Sequence, residues 1–253
     1  MHRSDGGIRS KAEEEMKPFS RKFSLLALFA IIGIIAVAVS DYSNAYRRSR
    51  NSLAQVKTLS QYAGVRYNSE SARMTLFPFL EIGSLPVVTS LSIEGGVPPS
   101  VFKSSLSHMP SLTSLSLSST AEDNANHSEY SDGHLKAVEQ LTNLRELELF
   151  NAAISDEGFR SFCRSGNDNI TYLEFDACNT LSERGLERLD RFSSLQTLVF
   201  VNMEFSNSAL HHMEGLPDLE HVYIDGCDNI SDTEIENFSK TYNGRIEIVC
   251  LDH

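Results

Sequence analysis

The side chains best suited to metal or acid–base chemistry in this sequence are two neighbouring histidines, His211 and His212, and two acidic turns at 156–157 and 232–234. Adjacent helix positions point in different directions, so we do not expect the histidines to share a metal ion. The turns offer the carboxylate oxygens that calcium takes. Each turn, however, stands where a helix would begin, and carboxylates are stabilised there by the helix dipole. The sequence therefore predicts no metal site and no cofactor.

The motifs of common enzyme classes are absent from the sequence. It contains no glycine-rich phosphate loop, no His-Glu-x-x-His, no Gly-x-Ser-x-Gly and no Cys-x-x-Cys. An enzyme would need titratable side chains that converge in one pocket, and the sequence leaves open whether Glu148, Glu174 and His221 do so. We therefore expect a protein without catalytic activity.

The elements that must position these residues form an internal repeat. Within each copy the apolar spacing changes from alternation to a three-residue step, which indicates a strand followed by a helix. A serine at the turn between them is placed to cap the helix. The clearest copies begin at Leu144, Ile170, Leu195 and Leu219, at intervals of 24 to 26 residues.

These residues carry a family resemblance. The frames Leu144-x-x-Leu147-x-Leu149 and Ile170-x-x-Leu173-x-Phe175, with Cys178 and Cys227 three residues after the last apolar strand position, resemble the cysteine-containing subclass of leucine-rich repeats. The resemblance extends from Val88 to the last residue. It implies an α/β solenoid of about six repeats, with parallel strands on the concave face and helices on the convex face.

The four cysteines do not form a disulfide framework in a chain of 253 residues. Cys178 and Cys227 occupy the same position two repeats apart, so about 10 Å should separate them if neighbouring strands lie about 4.8 Å apart. That distance is too long for a disulfide. We expect both to be buried and reduced, and Cys163 and Cys250 stay undecided.

An uncharged apolar run fills 23–39. Its length lies within the roughly 17 to 25 residues of a spanning helix and exceeds the roughly 7 to 15 of a signal-peptide core. We predict a transmembrane anchor over 23–40 behind a basic cytoplasmic stub over 1–22. Cleavage at small residues near 36–38 or 43–45 stays open. Six basic residues precede the run, and four lie in the twenty residues after it. This difference favours a cytoplasmic N-terminus and a repeat domain on the non-cytoplasmic side.

The order of these segments carries a second resemblance. Leu53, Val56 and Leu59 recur at three-residue spacing ahead of Gly64, which indicates a helix that ends there. The segment 41–84 is thus predicted to form a juxtamembrane helix, a short strand at 65–67 and a cap to which Phe77, Phe79, Leu80 and Ile82 contribute. Stub, anchor, helix and repeats together resemble membrane-anchored leucine-rich repeat proteins of planctomycete-like bacteria.

The predicted repeat domain covers 85–253. Two degenerate repeats begin at Val88 and Leu112, with a surface loop inserted at 121–127, and a last edge strand is expected around Ile246 and Ile248. The overall charge is −12, of which 1–40 contribute +2, so the remainder carries −14. Nucleic acid is therefore disfavoured as a partner, because phosphate contacts need clustered lysine and arginine.

Function is expected on the strand face, where alternate residues point away from the core and form columns across repeats. The first two repeats present mostly serine. Later repeats combine aromatic, aliphatic and acidic side chains in a surface that we call the concave patch. It consists of Glu148, Phe150, Tyr172, Glu174, Asp176, Val199, Val201, His221 and Tyr223.

Aromatic clusters on a rigid concave face are typical of protein-binding hot spots. We therefore predict a membrane-anchored protein that recognises a protein or peptide, with basic residues favoured by the acidic surround. One alternative is that the patch side chains only pack against each other. Two others concern the whole chain: a substrate-recognition adaptor of ubiquitin-ligase type, as the cysteine-containing subclass often provides, or a structural envelope protein without a specific ligand.

Overall fold

The computed structural model describes residues 25–77, 80–121, 129–241 and 247–251. The chain divides into two compact units, Met1–Tyr42 and Ser43–His253. All the repeats belong to the second unit. The predicted stub over 1–22 lies outside the described residues.

A single helix, α1, covers Leu25–Leu59. It replaces the two helices that the sequence predicted, because no glycine or proline interrupts the chain between Ser40 and Leu59. Val56 and Leu59 are buried in the core of the second unit. The sequence predicted that the helix would end at Gly64. The helix instead ends at Leu59, and Gly64 is the first residue of the first strand.

Among the described residues, no helix combines the length and the apolar character needed to cross a membrane. The predicted anchor over 23–40 begins outside these residues and continues along α1. The anchor is thus without support from the structure.

Within the described ranges, eight strands form one sheet in their sequence order. The first two are antiparallel, and every later neighbour pair is parallel. The strands are β1 (Gly64–Phe77), β2 (Leu80–Glu94), β3 (Ser114–Ser118), β4 (Glu146–Phe150), β5 (Tyr172–Asp176), β6 (Thr197–Val201), β7 (His221–Asp225) and β8 (Glu247–Leu251).

A helical segment lies between each pair of successive parallel strands. These segments are α2 (Pro99–Leu106), α3 (Asp132–Val138), α4 (Asp156–Arg164), a 3₁₀ helix (Glu183–Arg191), α5 (Ser208–His211) and α6 (Asp232–Thr241). The sequence did not predict the 3₁₀ segment. Its leucines, Leu186 and Leu189, are three residues apart, which places both on one side of a helix with three residues per turn. Both are fully buried.

The core lies between the strands and the helical segments. The predicted apolar frame is confirmed: Leu147, Leu173 and Leu198 each have no exposed surface, and they stand side by side on neighbouring strands. Phe159 of α4 and Phe175 of β5 meet edge to face with ring centroids 5.1 Å apart. Repeated strand–turn–helix units stacked on one parallel sheet constitute a solenoid of leucine-rich-repeat type.

A left-handed residue follows β4, β5, β6 and β7. Asn151, Ala177 and Asn202 have φ of 51° to 52°, and Gly226 has φ of 59°. This conformation turns the chain so that each of the first three donates its backbone N–H to the carbonyl of the last residue in the next strand. Asparagine and glycine adopt this region readily, whereas alanine does so at a cost.

The turns before the helices form a second set of contacts between repeats. Ser155 accepts the Gly158 N–H at 3.1 Å, which confirms the predicted cap. The residue after the serine of each turn also reaches the corresponding serine of the following repeat. These contacts join Asp132 to Ser155, Asp156 to Ser182, Glu183 to Ser206 and Asn207 to Ser231. We call this series the turn ladder.

Cys178 and Cys227 are buried free thiols, as predicted, and Cys163 is another. The Cys178 thiol donates to the Leu149 carbonyl oxygen at 3.2 Å. Burial raises the pKa of the Cys178 thiol to about 12, so the thiol stays protonated. The side chain of Cys250 is not among those described.

The N-terminal cap differs from the prediction. The expected short strand at 65–67 is part of β1, which has 14 residues and forms a long hairpin with β2. The capping role predicted for 77–82 concerns side chains outside those described. The predicted surface loop at 121–127, except Ala121, and Ile246 also lie outside the described residues, whereas the predicted last strand is present as β8.

Candidate functional site

The parallel register places the concave patch on four adjacent strands. In the central column Glu148, Glu174, Val199 and Tyr223 stand next to one another on β4 to β7. The flanking columns contain Tyr172 and His221 on one side, and Phe150, Asp176 and Val201 on the other. The structure therefore brings the predicted residues into one continuous surface.

The patch is less exposed than the strand pattern suggested. Eight of its members are half-buried, and Val199 is only 8% exposed. Val199 stands between Glu174 on β5 and Tyr223 on β7, whose side chains are longer. Val199 therefore forms part of a floor rather than a protruding contact.

A groove of about 460 Å³ opens over this floor. Its walls include two tyrosines, Tyr172 and Tyr223, which belong to strands on either side of β6. The patch as predicted omitted three groove residues, Thr197, Asp225 and the buried Ile224. The positions of Thr197 and Asp225 in the same columns were the signal that could have included those two. The groove is lined by Tyr172, Thr197, Val199, Val201, Tyr223, Ile224 and Asp225.

The rim of the groove is acidic. The outward positions of β4 to β7 hold no lysine or arginine. The Glu174 carboxylate is half-buried, and this desolvation raises its pKa, with further raising by the negative charges of Glu148 and Asp176. The five carboxylates at these positions are Glu146, Glu148, Glu174, Asp176 and Asp225.

One hydrogen bond partly offsets the burial of Glu174 and its repulsion by the neighbouring carboxylates. The Tyr172 hydroxyl donates to Glu174 Oε2 at 2.5 Å, which favours the ionised carboxylate and opposes the rise in its pKa. Burial, together with this bond and the nearby carboxylates, raises the pKa of Tyr172. The tyrosine therefore remains a neutral donor, and its orientation along the groove is fixed by Glu174.

His221 lies at the far end of the patch. Its ring stacks on Tyr223 with centroids 6.4 Å apart and 29° between the ring planes. β6 separates it from Glu174 on β5, and the two residues belong to different columns. The structure therefore does not bring Glu148, Glu174 and His221 together in the way that acid–base chemistry would need.

The remaining candidates for chemistry are dispersed. His211 is an exposed residue that bonds Glu214 at 2.9 Å. In the part of the chain that the structure describes, no group of three or more histidine, cysteine, aspartate and glutamate side chains could hold a metal ion. Asp156, considered above as a calcium ligand, belongs to the turn ladder instead.

Comparison with known proteins gives limited similarity. No protein-family model and no curated protein matches the sequence. Among solved structures, the yeast Rad7 and Elc1 complex matches with a TM-score of 0.45 and 17% identity, over 57% of this chain and 37% of that chain. An internalin from Listeria monocytogenes matches with a TM-score of 0.35 and 18% identity, over 65% of this chain and 56% of that chain. The chain thus spans little more than a third and just over half of their lengths.

Proposed function

We propose that the concave patch binds a protein segment in which basic side chains stand next to apolar ones, and that the chain has no catalytic role. The observation that carries this proposal is the groove of about 460 Å³, whose apolar floor is bordered by carboxylates. Pockets of this kind orient a ligand through a few polar groups around an apolar contact.

The floor supplies affinity through apolar burial. Val199 and Val201 lie on β6, between the two neighbouring strands that carry Tyr172 and Tyr223, and the solenoid fixes these strands. Covering apolar surface contributes about 25 cal/mol per Å². Because the strands are held in a continuous ladder, little conformational freedom remains to be lost here on binding.

The rim supplies the preference for positive charge. Glu174 has a raised pKa because it is half-buried close to Glu148 and Asp176. A lysine or arginine from a ligand would offset this repulsion and form charge-assisted hydrogen bonds. Binding should therefore weaken as salt is added.

The test is selection of peptides from a random phage-displayed library on the immobilised full chain. We expect enriched peptides to carry lysine or arginine next to aromatic or aliphatic residues. Replacing Tyr172 and Tyr223 with alanine should abolish the enrichment. Ser116→Ala, on the concave side of the bland early repeats, is the matched control and should preserve it. Equal enrichment by the double variant would show that the groove is not the binding site.

Tethering to a membrane over 23–40, with the repeats on the non-cytoplasmic side, belongs to the same proposal. Its support is the uncharged run 23–39 and the exposed apolar side chains Phe29, Ile32 and Val37. Alkaline carbonate should leave the chain in the membrane fraction, and protease added to intact cells should degrade the repeats. A chain released by carbonate would refute the tether, and protected repeats would refute the sidedness.

A further inference from the structure

In the part of the chain that the structure describes, one edge of the first strand pairs with no other strand. β1 is the end strand of the eight-stranded sheet, and β2 is its neighbour there. Its 14 residues make it much longer than the five-residue strands β3 to β8. Residues 66–71 are all exposed. An edge of this kind presents backbone donors and acceptors to which another strand can pair.

The edge is polar and contains no proline over 64–71. Arg66, Asn68 and Glu70 alternate along β1, so their side chains share one face of the strand. Arg66 forms an ion pair with Glu94 on that face, and 74% of its side chain remains exposed. Its guanidinium therefore has donors left for a second carboxylate.

The spacing of these charges is self-complementary. If two copies of β1 pair antiparallel around a two-fold axis at Asn68, Arg66 of each copy stands opposite Glu70 of the other. Opposite charges across an antiparallel pair stabilise it, and like charges weaken it. Shifting the register by one residue loses both pairs, so the charges select one arrangement rather than merely blocking the edge.

We propose that this chain forms a two-fold dimer by antiparallel pairing of β1 with β1 of a second copy, centred on Asn68. The interface is isologous, as closed dimers require. It lies at the opposite end of the sheet from the concave patch, on β4 to β7, and leaves the groove open. The proposal does not depend on the proposed function.

The experiment uses the full chain, purified in a mild detergent that also covers the exposed apolar side chains of α1. The molecular mass of the protein, measured as a function of protein concentration, should correspond to a dimer. Glu70→Arg places an arginine opposite Arg66 in both symmetry-related pairs. It should raise the dissociation constant of the dimer at least about tenfold. Adding Arg66→Glu to this variant should restore dimerisation, because each pair then again joins an arginine to a glutamate, with the two positions exchanged. Glu94→Gln, which removes the ion pair within the chain, should leave the dimer intact.

Cross-linking tests the register. In the proposed dimer the two Asn68 Cα atoms lie about 4.5 to 5.5 Å apart, within reach of a disulfide. Asn68→Cys should therefore form a covalent dimer on mild oxidation. Ser71→Cys is the matched control, because it keeps Arg66 and Glu70 in place and about 20 Å would separate its two copies, from six residues at about 3.3 Å each. A monomeric chain, a dimer unaffected by Glu70→Arg, or equal cross-linking by both cysteine variants would overturn the proposal.

Discussion

The turn ladder makes a quantitative prediction at Asp156. One carboxylate oxygen accepts the backbone N–H of Ser182 at 2.7 Å, and the other accepts the Ser182 hydroxyl at 2.8 Å. Asp156→Ala removes both bonds and leaves a partly buried N–H without that partner. Hydrogen bonds to a charged group contribute about 1.5 to 3 kcal/mol each, but the two share one carboxylate and are not additive. We expect the free energy of unfolding to fall by about 2 to 4 kcal/mol.

The matched control is the next residue. Glu157 binds Arg160 and Arg164, and 67% of its side chain is exposed. Exposed ion pairs contribute about 0 to 1 kcal/mol. Glu157→Ala should therefore change the unfolding free energy by less than about 1 kcal/mol. Asp156→Asn keeps an oxygen for the Ser182 N–H and should fall between the wild type and Asp156→Ala.

The assay is urea unfolding of the full chain, followed by circular dichroism and by tyrosine fluorescence. Agreement between the two probes establishes a single transition, and an unchanged slope assigns the effect to stability. The reasoning is refuted if Asp156→Ala costs no more than Glu157→Ala. It is also refuted if Asp156→Asn is as damaging as alanine, since the retained oxygen would then contribute nothing.

Three further substitutions test single features of the fold and the patch. Ala177→Gly should stabilise the chain by about 1 kcal/mol in the same assay, because φ is 51° at this position and a left-handed alanine is strained; a loss of stability would contradict this. Gly158→Ala should destabilise it, because an added Cβ would lie 2.1 Å from Asp132 Oδ1; wild-type stability would show that the ladder is not tightly packed there. The raised pKa of Glu174 means that the folded state binds its proton more tightly than the unfolded state, so the contribution of Glu174 to stability is largest below its unfolded pKa and is lost as pH rises through its folded pKa. Glu174→Gln should therefore stabilise the chain at neutral pH and lose this advantage in acid, as unfolding curves at several pH values would show; an advantage independent of pH would refute the cause given for the shift.

Much of the solenoid was predictable because its signal is local and repeated. The alternation at Leu147 and Leu149 recurs in each copy, and the common frame fixes which residues become neighbours. The columns of the concave face followed from that frame alone, and the observed register agrees with it. The half-burial of the patch did not follow, because it depends on the length of neighbouring side chains such as Tyr172 and Tyr223.

The hairpin and the turn ladder were missed for different reasons. Most of β1 is polar, and strand patterns are recognised by alternating apolar residues, so only the pairing with β2 reveals its length. The ladder did have a sequence signal. A serine followed by aspartate, glutamate or asparagine recurs from Ser131 to Ser231, but a helix cap already explained the serine. Only the distance from Asp156 to Ser182 shows that the second residue joins consecutive repeats.

The division of contacts explains why this chain has a candidate site without a recognisable motif. The buried strand positions connect the repeats and recur in each copy, and the left-handed residues and the turn ladder do the same over the later copies. The side chains at the outward strand positions are not needed to connect the repeats. They change from Ser92 and Ser116 in the early repeats to Glu174 and Tyr223 in the later ones while the parallel register continues. Specificity in such a fold resides in a row across strands, where residues about 25 positions apart in the sequence become neighbours.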